Sequence, residues 1–195
     1  MSLLSKPITI VPQRYRRADS KIQAGMLAQD NRLRSYYEAV TDSGTVIARF
    51  YLGLGIEVPG QNELWRVLRQ PKMESLVPPG RTPSDPASNL FKGSTNLFGR
   101  VCRITEGQDR LGGYVLEGNG WRGSRIRRVN DGVRVANVYA DGDPPDIFHV
   151  DPARSIPEVP LTSVFLIIHF LLEREIRHGS QVRRPTPTDG PVDFE

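Results

Sequence analysis

The chain has 195 residues, enough for one domain with a substantial hydrophobic core plus appendages. Hydrophobic residues make up 38% and charged residues 25%, and 16 prolines with 18 glycines argue for many turns and against a helical bundle. The formal charge of +4 permits contact with phosphates or an anionic surface without demanding it, and the single cysteine, Cys102, excludes an internal disulfide framework and a cysteine-based zinc site.

Residues 1–30 read as an N-terminal arm. Within it "PITIV" has the makings of a short strand, "RYRRADSKIQAGMLAQD" is basic, and the apolar run is too short for a signal peptide. The expected location is therefore intracellular, cytoplasmic or at the periphery of a membrane. From Arg34 the pattern becomes β: "SYYEAVTDSGTVIARFYLGL" sets aromatic and β-branched residues on either side of a turn carrying Asp42 and Gly44. "ELWRVLR" (63–69) fits a third strand or a short helix. Residues 70–96, rich in proline, serine and glycine, read as one long loop.

Strands then resume in "LFGRVCRITE", "GGYVLEG", "SRIRRV", "VRVANVYA" and "DIFHV", separated by turn sequences. Among these the Asn130-Asp131-Gly132 turn is the clearest hairpin signal. Short strands with turns every 8 to 12 residues point to an antiparallel sandwich or barrel. A proline-marked connector leads to "LTSVFLIIHFLLEREIRHG", helical by length and composition, with Gly179 as its stop. The remainder, 179–195, is a proline-rich tail of disordered composition.

From Leu161 to Leu172 the run is apolar except for Thr162, Ser163 and His169. A dozen helical residues rise about 18 Å, short of a hydrocarbon core of roughly 30 Å, so this is not a transmembrane span. Val164 to Ile168 are consecutive and apolar, which covers every face of a helix, and such a helix must be surrounded by protein. The expected fold class is mainly β (α+β): an antiparallel barrel or sandwich, residues 31–178, closed around or against a hydrophobic C-terminal helix at 161–178.

Two stretches carry a family resemblance. "RSYYEAVTDSGTVIARFY" resembles the early hairpin of the tubby C-terminal-like superfamily, which includes the phospholipid scramblases. "ADGDPPDIFHVDPARSIPEVPLTSVFLIIHFLLERE" is similar to the scramblase ending, an acidic turn, a strand with Phe, a connector and an apolar helix ending in acidic residues. The resemblance implies a β-barrel around a central C-terminal helix and contact with membrane phospholipid. The cysteine clusters that scramblases use for palmitoylation are absent, and no membrane-spanning extension follows Gly179.

Two clusters have chemistry in them. Arg122, Arg125, Arg127, Arg128 and Arg134, with Trp121 nearby, form a basic cluster that suits an anionic phospholipid headgroup or a nucleic acid backbone, though an ordinary solvated hairpin has the same composition. On a strand Arg125 and Arg127 share one face and Arg128 takes the other. Asp141, Asp143, Asp146 and Asp151 supply carboxylates of the kind that bind Ca²⁺, as the matching scramblase stretch implies. Pro144 and Pro145 break any EF-hand pattern, and a solvated turn is the plain alternative. His149, His169 and His178 lack metal-ligand spacing; His169, inside the apolar helix, reads as a core residue. Cys102 and His149 make a nucleophile pair only if the fold joins them, and nothing local activates the thiol.

No catalytic constellation stands out, so the expectation is a non-enzymatic, tubby-like binding module for an anionic phospholipid or membrane surface. The competing expectation is a structural subunit of a viral or other large assembly. In that case the arms reach neighbouring protein chains, a second copy in a homo-oligomer, or nucleic acid. No RNP-type motif, helix-turn-helix or zinc finger supports the last of these.

Overall fold

The computed structural model of the chain describes residues 3–14, 35–70, 73–81, 91–95, 101–106, 113–118, 123–142, 145–153 and 159–179. Among these residues twelve strands run in order, beginning with β1 (Ile8–Arg14), β2 (Ser35–Thr41), β3 (Val46–Tyr51), β4 (Gly55–Glu57), β5 (Trp65–Gln70) and β6 (Met73–Val77). They continue as β7 (Phe91–Thr95), β8 (Val101–Glu106), β9 (Tyr114–Gly118), β10 (Ser124–Arg128), β11 (Arg134–Gly142) and β12 (Pro145–Pro152), and the helix α1 spans Leu161–Gly179.

Each strand pairs antiparallel with its sequence neighbours, and β1 pairs with both β2 and β12, which closes the sheet into a barrel. Ile8 lies opposite Val150 on one side and Thr41 on the other. Closure removes the free edges that would otherwise invite pairing with other chains.

The helix fills the barrel. Ser163 to His169 and Leu171 to Glu173 are all buried, with Val164, Ile167, Ile168 and Leu172 fully enclosed. Twelve strands about 4.8 Å apart and tilted about 40° make a backbone ring of radius roughly 12 Å. One layer of wall side chains then leaves space for a helix about 10–12 Å across. That layer comes from alternate strand positions: Ile8 and Ile10, Ala39, Ala48 and Phe50, Ile126, Ala136 and Val138, Phe148 and Val150. Phe50 meets Phe165 of α1 edge-on at 6.0 Å between ring centres. The chain's own strands encircle its apolar helix.

Strand directions alternate, so the turns at 42–45, 58–64 and 129–133 share one end of the barrel with the start of α1. A bridge from Leu3 to Pro160, and a hydrogen bond from Leu4 N–H to Val159 C=O at 2.8 Å, tie the N-terminus to that end. At the other end Gly53 N–H donates to Glu173 Oε1 at 2.7 Å.

Two expectations are corrected. The strand expected in "PITIV" forms as β1, but it belongs to the barrel wall and not to an arm, because Ile8 and Ile10 point inward and are fully buried. The supposed loop at 70–96 contains β6 and β7; Leu76 and Val77 are buried, but these strands are too short and polar to show a period. "GLGIEVPG" contains β4, where Ile56 faces the core opposite Phe50. The ambiguous 63–69 segment resolves as strand β5. No helix among the described residues is long and apolar enough to cross a membrane.

Candidate functional site

With the lumen occupied by α1, the accessible surface is that of the outer wall and the rims. The arginine cluster sits on the outer wall at β10 and β11. Ser124 and Ile126 face inward, which turns Arg125 and Arg127 outward, while Arg128 enters the turn. Gly132 closes that turn at φ 68°, a left-handed conformation glycine adopts without strain. Arg128 N–H donates to Val133 C=O at 2.9 Å, and Gly132 N–H donates to Arg128 C=O at 2.9 Å.

A β-bulge decides how the cations meet. Ile126 pairs with Ala136, and a regular ladder would then set Arg127 opposite Val135. The register shifts after Ile126, so Val135 turns into the core at 4% exposure and Arg127 faces Arg134 across the ladder. Like charges directly opposite on a sheet repel. Part of that charge is balanced locally. Arg127 Nη1 lies 3.1 Å from Glu117 Oε2, and its Nε donates to Gly132 C=O at 2.6 Å. Arg128 binds both carboxylate oxygens of Asp131, at 2.6 Å through Nη2. That pairing, together with Val133 N–H donated to the same carboxyl, lowers the Asp131 pKa to about 2.

Arg125 and Arg134 differ. Arg125 is 60% exposed and reaches Glu117 only at 3.9 Å. Arg134 is exposed and has no ion pair among the described residues. Arg122 and Trp121 lie outside the described residues.

The acidic stretch does not converge where it is described. Asp141 and Asp151 both lie on the β11–β12 ladder, opposite Ile147 and Asn137 respectively, which is four residues apart or about 13 Å. Asp141 Oδ2 lies 2.9 Å from His149 Nε2, and Tyr139 O–H donates to Asp151 Oδ2 at 2.8 Å. Among the described residues no group of three or more His, Cys, Asp or Glu is placed to hold a metal ion. Asp143, and the side chain of Asp146, lie outside the described residues.

Sequence reading missed one cluster on this wall. The Tyr139 ring stacks on His149 at 4.8 Å, and His149 Nδ1 lies 3.5 Å from the Thr9 hydroxyl. The hydrogen bond to Asp151, burial and the neighbouring carboxylates raise the Tyr139 pKa. Asp141, His149 and Thr9 thus form a chain on an open wall. Only the register of three strands brings them together, so spacing gave no signal. Cys102, by contrast, is on β8, four strands from His149. His169 is fully buried in α1, with Nε2 3.7 Å from Glu173 Oε1, as a core residue.

A second charged network crosses β2, β3 and β4. Arg49 bridges Glu38 and Glu57 at 2.9 Å each, and Tyr51 O–H donates to Glu57. Burial lowers the Arg49 pKa, but the hydrogen bonds and charges of the two glutamates outweigh it and leave it raised. With these side chains at 14% exposure or less, the network is structural.

No family model matches the chain, and no curated protein matches it in sequence. Among solved structures it is similar to the protein AT5G01750 from Arabidopsis thaliana, with a TM-score of 0.52 and 11% identity, covering 89% of this chain and 94% of that one. The likeness is one of fold.

Proposed function

We propose that this chain is a non-catalytic, tubby-like binding module that docks on an anionic phospholipid surface through the outer wall of β10 and β11. The observation that carries this reading is the bulge that sets Arg127 against Arg134 while Arg125 stays exposed. A fold gains nothing from opposing two arginines, but an anionic surface does, because it supplies the missing counter-charge. Glu117 and Asp131 hold Arg127 and Arg128 in place, and Arg125 and Arg134 keep their charge for a partner. Tyr139 and Ile147, both more than a third exposed on the adjoining strands, add apolar surface to the same wall. The tubby-like assignment rests on the helix-filled barrel and on the two sequence stretches that resemble that superfamily.

The test is sedimentation with vesicles containing phosphatidylserine or phosphoinositide. Each arginine near an anionic surface contributes about 1 kcal/mol, so Arg125→Gln with Arg134→Gln lowers binding by about 30-fold. Raising the salt from 0.05 to 0.5 M weakens the wild-type protein further. Absent binding, or binding indifferent to both salt and these arginines, would count against the reading.

A further inference from the structure

We infer that the barrel has a separate binding site for an uncharged, mostly apolar small molecule with a hydrogen-bond acceptor at one end. It lies at the rim where α1 enters, between β3, β4, β5 and the first turn of the helix. The cavity there measures about 490 Å³, within the range of roughly 300–1,000 Å³ typical of small-molecule sites. Val46, Ile47, Val58 and Phe165 supply apolar wall, and no ionisable side chain lines it.

Three groups give the pocket polarity without charge. Trp65 Nε1–H donates to the Gln61 side-chain oxygen, which fixes the indole and leaves the Gln61 amide N–H groups without an acceptor among the described residues. Thr162, also in the lining, has a hydroxyl with neither solvent contact nor a hydrogen-bond partner among the described residues. Threonine on a helix divides between two χ1 rotamers, so a modest rotation turns that hydroxyl toward a ligand. An unbonded buried hydroxyl is costly, and a bound acceptor relieves the cost.

Charge selects the ligand class. A carboxylate or ammonium entering this cavity loses its hydration and meets no counter-ion. A neutral chain or ring with a hydroxyl or carbonyl oxygen meets apolar walls and amide and hydroxyl donors. The site is also distinct from the arginine wall: β4 and β10 are six places apart in a ring of twelve, on opposite sides of the barrel.

The experiment follows methyl resonances of Val46, Ile47, Val58 and Leu161 during titration with n-hexanol through n-decanol, decanoate, decylammonium and neutral phosphatidylcholine vesicles. Saturable shifts are expected with the alkanols, tightening about fourfold for each added methylene. Decanoate and decylammonium bind at least tenfold more weakly than decanol. Val46→Trp and Val58→Trp, made separately, each fill the cavity from its rim and weaken decanol at least tenfold. Thr162→Val weakens decanol by about three- to tenfold and keeps the chain-length increment. Shifts of the same methyls by neutral vesicles assign the site to an acyl chain drawn from a bilayer; shifts by alkanols alone assign it to a freely diffusing ligand. No saturable shift with any probe, equal response to the charged probes, or a response surviving both tryptophan variants overturns the inference. Arg125→Gln with Arg134→Gln leaves these titrations unchanged, so failure here and failure of anionic docking are separable.

Discussion

Asp131 is the residue whose titration reports the arginine turn. Its folded pKa of about 2 lies below that of an unfolded aspartate, so its contribution to stability is complete above about pH 4. That contribution is lost as the pH falls through about 2. Carboxyl NMR should find the low value in the wild-type protein and a return toward the ordinary one in Arg128→Ala. Arg49 offers a test at a buried site. Arg49→Ala leaves the nearly enclosed Glu57 and the neighbouring Glu38 without their shared cation, and should cost about 3–5 kcal/mol in urea unfolding. At this scale sequence reading reached only part of the way. Alternation alone put Arg125 and Arg127 on one face. The opposition of Arg127 to Arg134 needed the bulge, and the Asp141–His149–Thr9 chain needed a pairing between strands at the two ends of the sequence.

Among the elements, α1 was the most legible and is the most consequential. Its apolar residues exceed what one buried face requires, and the length of the run rules out spanning a membrane. Leu166 and Ile168 are enclosed by the barrel, so Leu166→Ala or Ile168→Ala should each cost about 2–5 kcal/mol, read as a lower urea midpoint at constant slope. The end of β9 is crowded against the start of β10. Gly118 has φ 130°, and a Cβ there would come within 2.6 Å of the Gly123 carbonyl oxygen. Gly118→Ala should therefore destabilise the barrel by more than the roughly 1 kcal/mol typical of single substitutions. Strands β9 to β12 were visible because turn residues flank them. β6 and β7 were not, because five residues containing Ser, Lys or Gly show no clear period.

For the whole molecule, closure is the property on which the proposed binding surfaces depend. β1 and β12 are the first and last of the described strands, and pairing them costs only a loop-closure entropy that grows slowly with length. No local pattern records such a contact, which is why the first strand reads as an arm. Once closed around α1, the barrel has no lumen to offer a ligand. The proposed binding surfaces are then the outer wall, where β10 and β11 carry exposed arginines, and the rim pocket on the far side. The most direct measurement of this account is amide hydrogen exchange with and without anionic vesicles. The account expects added protection in residues 124–134, with exchange unchanged around Gly53 and Leu54 at the opposite end. Protection centred on that end, or on no part of β10 and β11, would contradict it.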